Sequence, residues 1–392
     1  MSSARSPRAL RLFLRVLGAF ALLVALVAGG LAWWVGHGGE AWLDREAEAR
    51  IHAAIEKASV PGYQITLGSL KADARNGSLV VTDADLDFEP RLLDSLRTGA
   101  FRYLFSAKVG RVELHGLSFW RLLLQGEILV RSIALEQPEF HYYTGPKRVD
   151  LADPFKRLGR NGKGLVSVLV ADTLSIQGAE ASVQDLNQLL PELKVNGLNI
   201  GASGLRIAAT GRKAGVRLSL EGAELNVDSI GTRLPDGSRL QIGSVSLSRT
   251  RRSGRLTNIR ITPEYTDTTK AGRMRKGEMT LAVDSILLRG LDVDRSIADE
   301  ALLVHKVDIH GLRVGLELDK TLPEQARPLR ELPTAALAGM PFSIQVDTAR
   351  LVHAEVLYRE RDPKTGRWGE VPFTSMNAQF RNITNEARSI AE

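Results

Sequence analysis

The sequence predicts an all-β protein: an elongated, curled, mostly antiparallel sheet forming an apolar groove, with an N-terminal transmembrane helix and a few short helices. Three observations carry this. From Tyr63 onward the chain is dominated by period-two segments rich in Val, Ile, Leu and Thr and bounded by turn residues. Helical periodicity is scarce, and strands do not alternate with helices as a doubly wound parallel sheet requires. Third, one spacing, apolar-x-apolar-x-Gly-apolar-x-apolar, recurs along the chain. It appears as VELHGLSF (112–119), LKVNGLNI (193–200), LSLEGAEL (218–225), ILLRGLDV (286–293) and VDIHGLRV (307–314), with a degenerate copy, LSIQGAEA, at 174–181. Two further copies keep the spacing and lose the glycine: LVVTDADL (79–86) has Asp83 in that slot and ARLVHAEV (349–356) has His353.

The N-terminal end is read first. Residues 1–15 are basic, and Val16 to Val35 run 20 residues without a charge, the length that crosses about 30 Å of hydrocarbon. Arg11 and Arg15 mark the cytoplasmic interface of this span, and Trp33 and Trp34 sit where an aromatic belt belongs. The expectation is a single-pass anchor with its N-terminus cytoplasmic; a cleaved signal peptide is the rival, against which the length of the apolar run counts. Residues 40–60 read as an amphipathic helix ended by Pro61 and Gly62, with Leu43, Ala47, Ile51 and Ala58 at three- and four-residue spacing.

Strands are expected at 63–72, 77–88, 108–120, 127–135, 165–178, 239–249, 278–290 and 342–360. Short helices are expected around Arg91–Phe105, Leu186–Leu190 and Thr334–Gly339. The proline-bearing stretches 142–154 and 322–333 look like excursions from the sheet, not domain linkers.

The slipped spacing has a physical reading. Side chains at i and i+2 share a face, so a one-residue phase change would turn the apolar row to the other side of the sheet. Two devices prevent this. A two-residue hairpin turn would fold Leu117 back over Leu114, with Asn196–Gly197 the strongest local case. A bulge would restore the face and bend the strand. Either way one face stays apolar, while Glu113, Lys194, Asn199, Asp308 and Arg313 mark a wet face. An apolar face this long must be covered by a second sheet or curl into a trough, and a trough marks a site for an apolar ligand.

The order of the motifs resembles that of a known family. An N-terminal span, a helix ending at Pro-Gly, YQITLGSLKADARNGSLVVTDADLDF and then AKVGRVELHGLSFWRLLLQGEILVRSIALEQPEFHYY resemble the start of AsmA-like proteins, relatives of TamB and of the bridge-like lipid-transfer superfamily. Val130, Ile133, Leu135, Pro138 and Phe140 match that family's recurring V-x-x-φ-x-L-x-x-P-x-φ pattern, and residues 342–385 look like a further unit. The resemblance implies residues 63–392 as a periplasmic β-groove domain, anchored in a bacterial inner membrane. It also implies a role in binding or conducting phospholipid between membranes for outer-membrane biogenesis. The implied partners are membrane phospholipid, the inner membrane and an envelope protein.

Composition and motifs weigh against other classes. At 44% hydrophobic and 25% charged residues the chain is neither disordered nor polytopic, and zero cysteines exclude thiolate chemistry. The net charge of +7 includes Arg5, Arg8, Arg11 and Arg15; the rest is nearly balanced, so nucleic acid is not an expected partner. The seven histidines form no H-E-x-x-H or H-x-H pair, GRNGKG (159–164) fails the phosphate-loop spacing, and no G-x-S-x-G occurs. Asp83, Asp85 and Asp87 lack the EF-hand glycine and terminal glutamate. RTRRSGR (249–255) reads as a solvated turn, with anionic head groups or an acidic partner as the sharper alternative. No catalytic residue, no metal ligand and no cofactor are expected; the chain is read as a non-enzyme. The candidate groove is lined by Val112, Leu114, Leu117, Phe119, Ile286, Leu288, Leu291, Val307, Ile309 and Leu312. The alternative is an anchored, non-catalytic scaffold or assembly factor whose β core is closed.

Overall fold

A computed structural model describes residues 62–73, 76–99, 103–118, 121, 127–145, 168–186, 192–209, 216–234, 237–263, 278–298, 301–323 and 343–385. The expected cytoplasmic N-terminus, anchor and amphipathic helix lie outside these residues, as do Arg11, Arg15, Trp33, Trp34 and Phe119. No helix among the described residues is long and apolar enough to cross a membrane. The expected helix at Thr334–Gly339 also lies outside them, as does nearly all of that at Leu186–Leu190.

The chain divides into two compact units between Val227 and Asp228. The N-terminal unit contains β1 (Tyr63–Asp73), β2 (Ser78–Phe88), helix α1 (Arg91–Arg97), β3 (Tyr103–His115), β4 (Glu127–Thr144), β5 (Val168–Asp185), β6 (Leu193–Ala209), β7 (Val216–Ser219) and β8 (Gly222–Val227). Its strands pair in the order β1-β2-β3-β4-β5-β6-β8, with β7 also on β6. The C-terminal unit contains β9 (Ser229–Arg233), β10 (Arg239–Ser248), β11 (Ser253–Thr262), β12 (Glu278–Leu291), helix α2 (Val293–Ala298), β13 (Ala301–His310), β14 (Arg313–Asp319), β15 (Ser343–Arg361) and β16 (Trp368–Thr384). Its order is β9-β10-β11-β12-β13-β15-β16, with β14 continuing the line of β13 between β12 and β15.

The all-β class is as the sequence predicts, but the sheet is mixed. β4 and β5 run parallel, and so do β13 and β14 against β15. Parallel neighbours need a long crossover, and the prolines of the two excursions fall in the two connections that supply it, 145–167 and 320–342.

The slipped spacing is resolved as single left-handed residues inside strands or, at Gly116 and Gly311, immediately after one. Seven of the eight motif positions, Asp83, Gly116, Gly178, Gly197, Gly290, Gly311 and His353, have φ between 51° and 69°. Gly222 is the exception and opens β8. None of the seven closes a hairpin: Asn196–Gly197 lies inside β6, and Gly311 joins β13 to β14 while both keep one parallel register with β15. A left-handed residue reverses the pleat phase without reversing the chain. Leu79 and Val81 before Asp83, and Ala84 and Leu86 after it, are therefore all buried.

These residues line up across strands. In the N-terminal unit the register sets Asp83 beside Gly68 and Gly110, then Gln137 and Gly178, with Gly197 two residues out of line on β6; in the C-terminal unit Asn258 falls beside Gly243 and Asp284, then Gly311 and His353, with Ser375 two residues out of line on β16. Gln137, Asn258 and Ser375 are left-handed at φ 48°, 51° and 56°. A second line holds Gly116 and Gly204 in one unit, Gly290 and Asn382 in the other.

The correspondence extends to contacts. Ser69 Oγ meets Thr82 Oγ1 at 2.7 Å, and Ser244 Oγ meets Thr257 Oγ1 at 2.6 Å. Asn199 Oδ1 accepts from the Gly178 N–H at 2.9 Å, and Asn377 Oδ1 accepts from the His353 N–H at 3.1 Å. Each asparagine also donates to the carbonyl of the left-handed residue two positions earlier, Gly197 or Ser375. The phase reversal takes a backbone N–H out of the ladder, and the asparagine supplies the acceptor it loses. The two units are built to one plan, β1–β6 corresponding to β10–β16 with β13 and β14 in the place of β4.

Candidate apolar ligand face

With the strands in these registers, apolar side chains fall in rows across each sheet. In the N-terminal unit one row runs Val81, Val112, Leu135, Ile176, Ile200, and the next Leu79, Leu114, Ile133, Leu174, Ala202. The corresponding C-terminal rows run Leu256, Ile286, Ile309, Leu351, Ala378 and Gly254, Leu288, Val307, Ala349, Phe380.

The predicted lining residues therefore come together as two sets, one on each unit. Val112, Leu114 and Leu117 are buried in the N-terminal unit; Leu288 and Leu291 are buried in the C-terminal unit. Ile286, Val307, Ile309 and Leu312 are half-buried. Leu114 and Leu288 occupy equivalent positions, as do Val112 and Ile286.

The N-terminal face is closed. Leu114 is 1% exposed and Leu135 0%. At one end α1 lays Leu92 and Leu96 on Leu104, with Tyr63, Phe88 and Tyr143 around them. The rings of Phe88 and Tyr143 meet edge to face at 5.5 Å between centroids. Burial pushes the Tyr63 hydroxyl up to about 12, although that oxygen accepts a hydrogen bond from the Phe105 N–H.

The C-terminal face is covered in part. Leu288, Leu291, Val304, Ile344, Val346 and Ala349 form a small core, against which Val293 of α2 packs. Beyond it the apolar row continues onto β16, which among the described residues pairs with β15 alone. Val371 is 49% exposed, Phe373 51% and Phe380 54%. Phe380 is paired with buried Ala349 and Phe373 with half-buried Val356, so both rings extend the face that is core a strand away. Met279 of β12, also exposed, precedes Leu281 and Val283 on the same side.

These four residues are missing from the predicted lining. The segment 371–385 carries apolar residues at 371, 373, 376, 378, 380 and 383, but its phase reversals sit at Ser375 and Asn382, not at glycines. A glycine-centred pattern passes over them.

One polar prediction is also corrected. Asp308 lies on the outer face as expected but is only 5% exposed, because Lys306 Nζ sits 3.3 Å and an Arg289 guanidinium nitrogen 3.5 Å from its carboxylate. Arg249–Arg252 form the hairpin turn between β10 and β11, with Arg249 paired to Asp294. Among the described residues no three His, Asp or Glu side chains gather as a metal site would require. No protein-family model matches the chain, and no curated protein matches it.

Proposed function

We propose that this is a membrane-anchored periplasmic protein of AsmA-like type that binds or conducts phospholipid along the apolar face of its C-terminal unit. The observation that carries the reading is the run of Val371, Phe373 and Phe380 on β16, half exposed and paired with Tyr358, Val356 and the core residue Ala349 of β15. Exposed apolar surface of this continuity is costly in water and marks a ligand or partner surface. Each acyl methylene buried there contributes about 0.8 kcal/mol, so chain length alone supplies affinity without head-group chemistry. The localisation in a bacterial inner membrane rests on the sequence resemblance and the apolar segment 16–35.

The test is a photo-reactive phenylalanine analogue placed at Phe373, Phe380 or Leu114 of the full-length chain in its native membrane. A phospholipid adduct at 373 and 380, with none at 114, supports the reading. A protein adduct at 373 and 380 in place of lipid supports the scaffold reading instead. That second reading has its own observation: the N-terminal face, where Leu79, Leu114, Ile133, Leu135 and Ile176 are each below 2% exposed, has the character of a closed core.

A further inference from the structure

The shared plan of the two units makes each a control for the other, and the control exposes a difference on the outer face. Two adjacent outer rows of the C-terminal unit run Arg255, Leu287, Asp308, Arg350, Gln379 and Ser253, Arg289, Lys306, Thr348, Arg381. The equivalent N-terminal rows run Val80, Glu113, Ala134, Ser175, Gly201 and, from β3 onward, His115, Ser132, Thr173, Ser203. Where the C-terminal unit has Arg255, Arg289, Lys306, Arg350 and Arg381, the N-terminal unit has Val80, His115, Ser132, Ser175 and Ser203. The same registers form with valine, histidine and serine at these five positions, so the scaffold does not need the arginines and the lysine.

The charge is not cancelled locally. Asp308 is the one acid in the two C-terminal rows, and it is shared by Lys306 and Arg289. Arg255 and Arg350 have no carboxylate partner among the described residues. Other acids of this unit are engaged elsewhere: Asp284 by Arg313, Asp294 by Arg249, and Asp347 by His305 Nδ1 at 2.7 Å. The belt spans five strands, about 19 Å at the usual strand spacing.

We propose that this belt docks the C-terminal unit on the anionic phospholipid head groups of a bilayer surface. Four of the five cations are arginine, whose planar fork suits phosphate oxygens. The two rows carry no aromatic side chain. That removes the aromatic anchors common at protein interfaces, and the stacking platforms that single-stranded nucleic acid requires. What remains is a broad, shallow, cationic sheet face, complementary to a plane of phosphates. The belt lies on the face opposite the apolar rows, so it stands or falls separately from lipid binding on the inner face.

The experiment uses the full-length chain in nanodiscs of phosphatidylcholine alone, probed for capture of vesicles of phosphatidylcholine with or without one-fifth phosphatidylglycerol. Capture of the anionic vesicles is expected to exceed that of neutral ones and to fall with salt. Each cation removed should weaken it roughly fivefold, so R255Q/R350Q/R381Q should lose about a hundredfold. A second variant, R289H/K306S/D308A/R350S/R381S, carries the residues of the sister unit and removes Asp308 together with its partners. It should melt with the wild type and capture no more than the triple variant. Equal capture of neutral vesicles, full capture by either variant, or selective binding of soluble polyglutamate without vesicle capture overturns the proposal, the last assigning the belt to an acidic polypeptide.

Discussion

The N-terminal unit buries the apolar rows that the C-terminal unit leaves half open, although both are built from the same six-strand plan. Leu114 and Leu288 occupy one position in that plan, as do Gly116 and Gly290, or Asn199 and Asn377. The N-terminal rows are buried from β2 through β5 and become half-buried at Ala202 of β6, while the C-terminal rows end on β16, whose phenylalanines lie half exposed on the same apolar face. The outer rows differ as well: where the C-terminal unit carries five cations, the N-terminal unit has Val80, His115, Ser132, Ser175 and Ser203. A shared backbone plan thus fixes where the two faces lie, and the side chains decide what each face meets.

The largest effect expected from this comparison is on the inner rows. Leu114→Asp places a carboxylate in a site with no room for water or a partner, and should cost about 4 kcal/mol or more and abolish cooperative folding. Phe380→Asp, one row position on an exposed ring, should cost under about 1 kcal/mol. Chemical denaturation of the two variants measures the difference, and equal losses would mean that the C-terminal face is as closed as the N-terminal one.

Next come the left-handed glycines. A Cβ on Gly116 would lie 2.8 Å from the Arg131 Cβ, and one on Gly290 would lie 2.6 Å from the His305 Cβ, both at φ near 68°. Gly116→Ala and Gly290→Ala should therefore cost a similar amount, about 2–3 kcal/mol. Gly231→Ala, where a Cβ meets nothing within 4 Å and φ is not left-handed, should be close to neutral. Unequal costs at 116 and 290 in denaturant melts would break the equivalence of the units.

Smaller again, Asn199→Ala and Asn377→Ala each leave a backbone N–H without its acceptor, at a cost of about 1–2 kcal/mol. Hydrogen exchange at Gly178 and His353 should rise in the respective variants and at no equivalent position in the other unit.

The smallest effect is electrostatic and belongs to one unit alone. The Arg313 guanidinium hydrogen-bonds the Asp284 carboxylate and holds it below the usual carboxylate range. A lowered folded pKa contributes stability that is present above the unfolded value and lost as pH falls through the folded one. Both groups are more than half exposed, so the contribution is roughly a few tenths of a kcal/mol. Asp284→Asn should lower the denaturation midpoint slightly at pH 7 and leave it unchanged at pH 2.

Much of this was readable in the chain. The slip at Asp83 and His353 could be placed from apolar spacing alone, because a buried face tolerates no other phase on either side of it. The slips at Gln137, Asn258, Ser375 and Asn382 were not legible, since nothing in a lone polar residue says that its φ is positive. Without them the β16 row loses its phase, and Phe373 and Phe380 drop out of the predicted face. Asp308 was misread for a different reason: its burial comes from the side chains of Arg289 and Lys306, one of them on a neighbouring strand.

By itself the sequence determined the strand content, the apolar and polar faces of each strand, and the positions of most phase reversals, because these follow from the period-two geometry of an extended chain. Tertiary structure alone decided that the reversals align across neighbours, that two excursions make parallel crossovers, and that one apolar face closes while the other stays half open. It alone gathered five scattered cations into a belt. Each of these depends on which strand lies beside which, and pairing is a non-local choice that no single segment encodes.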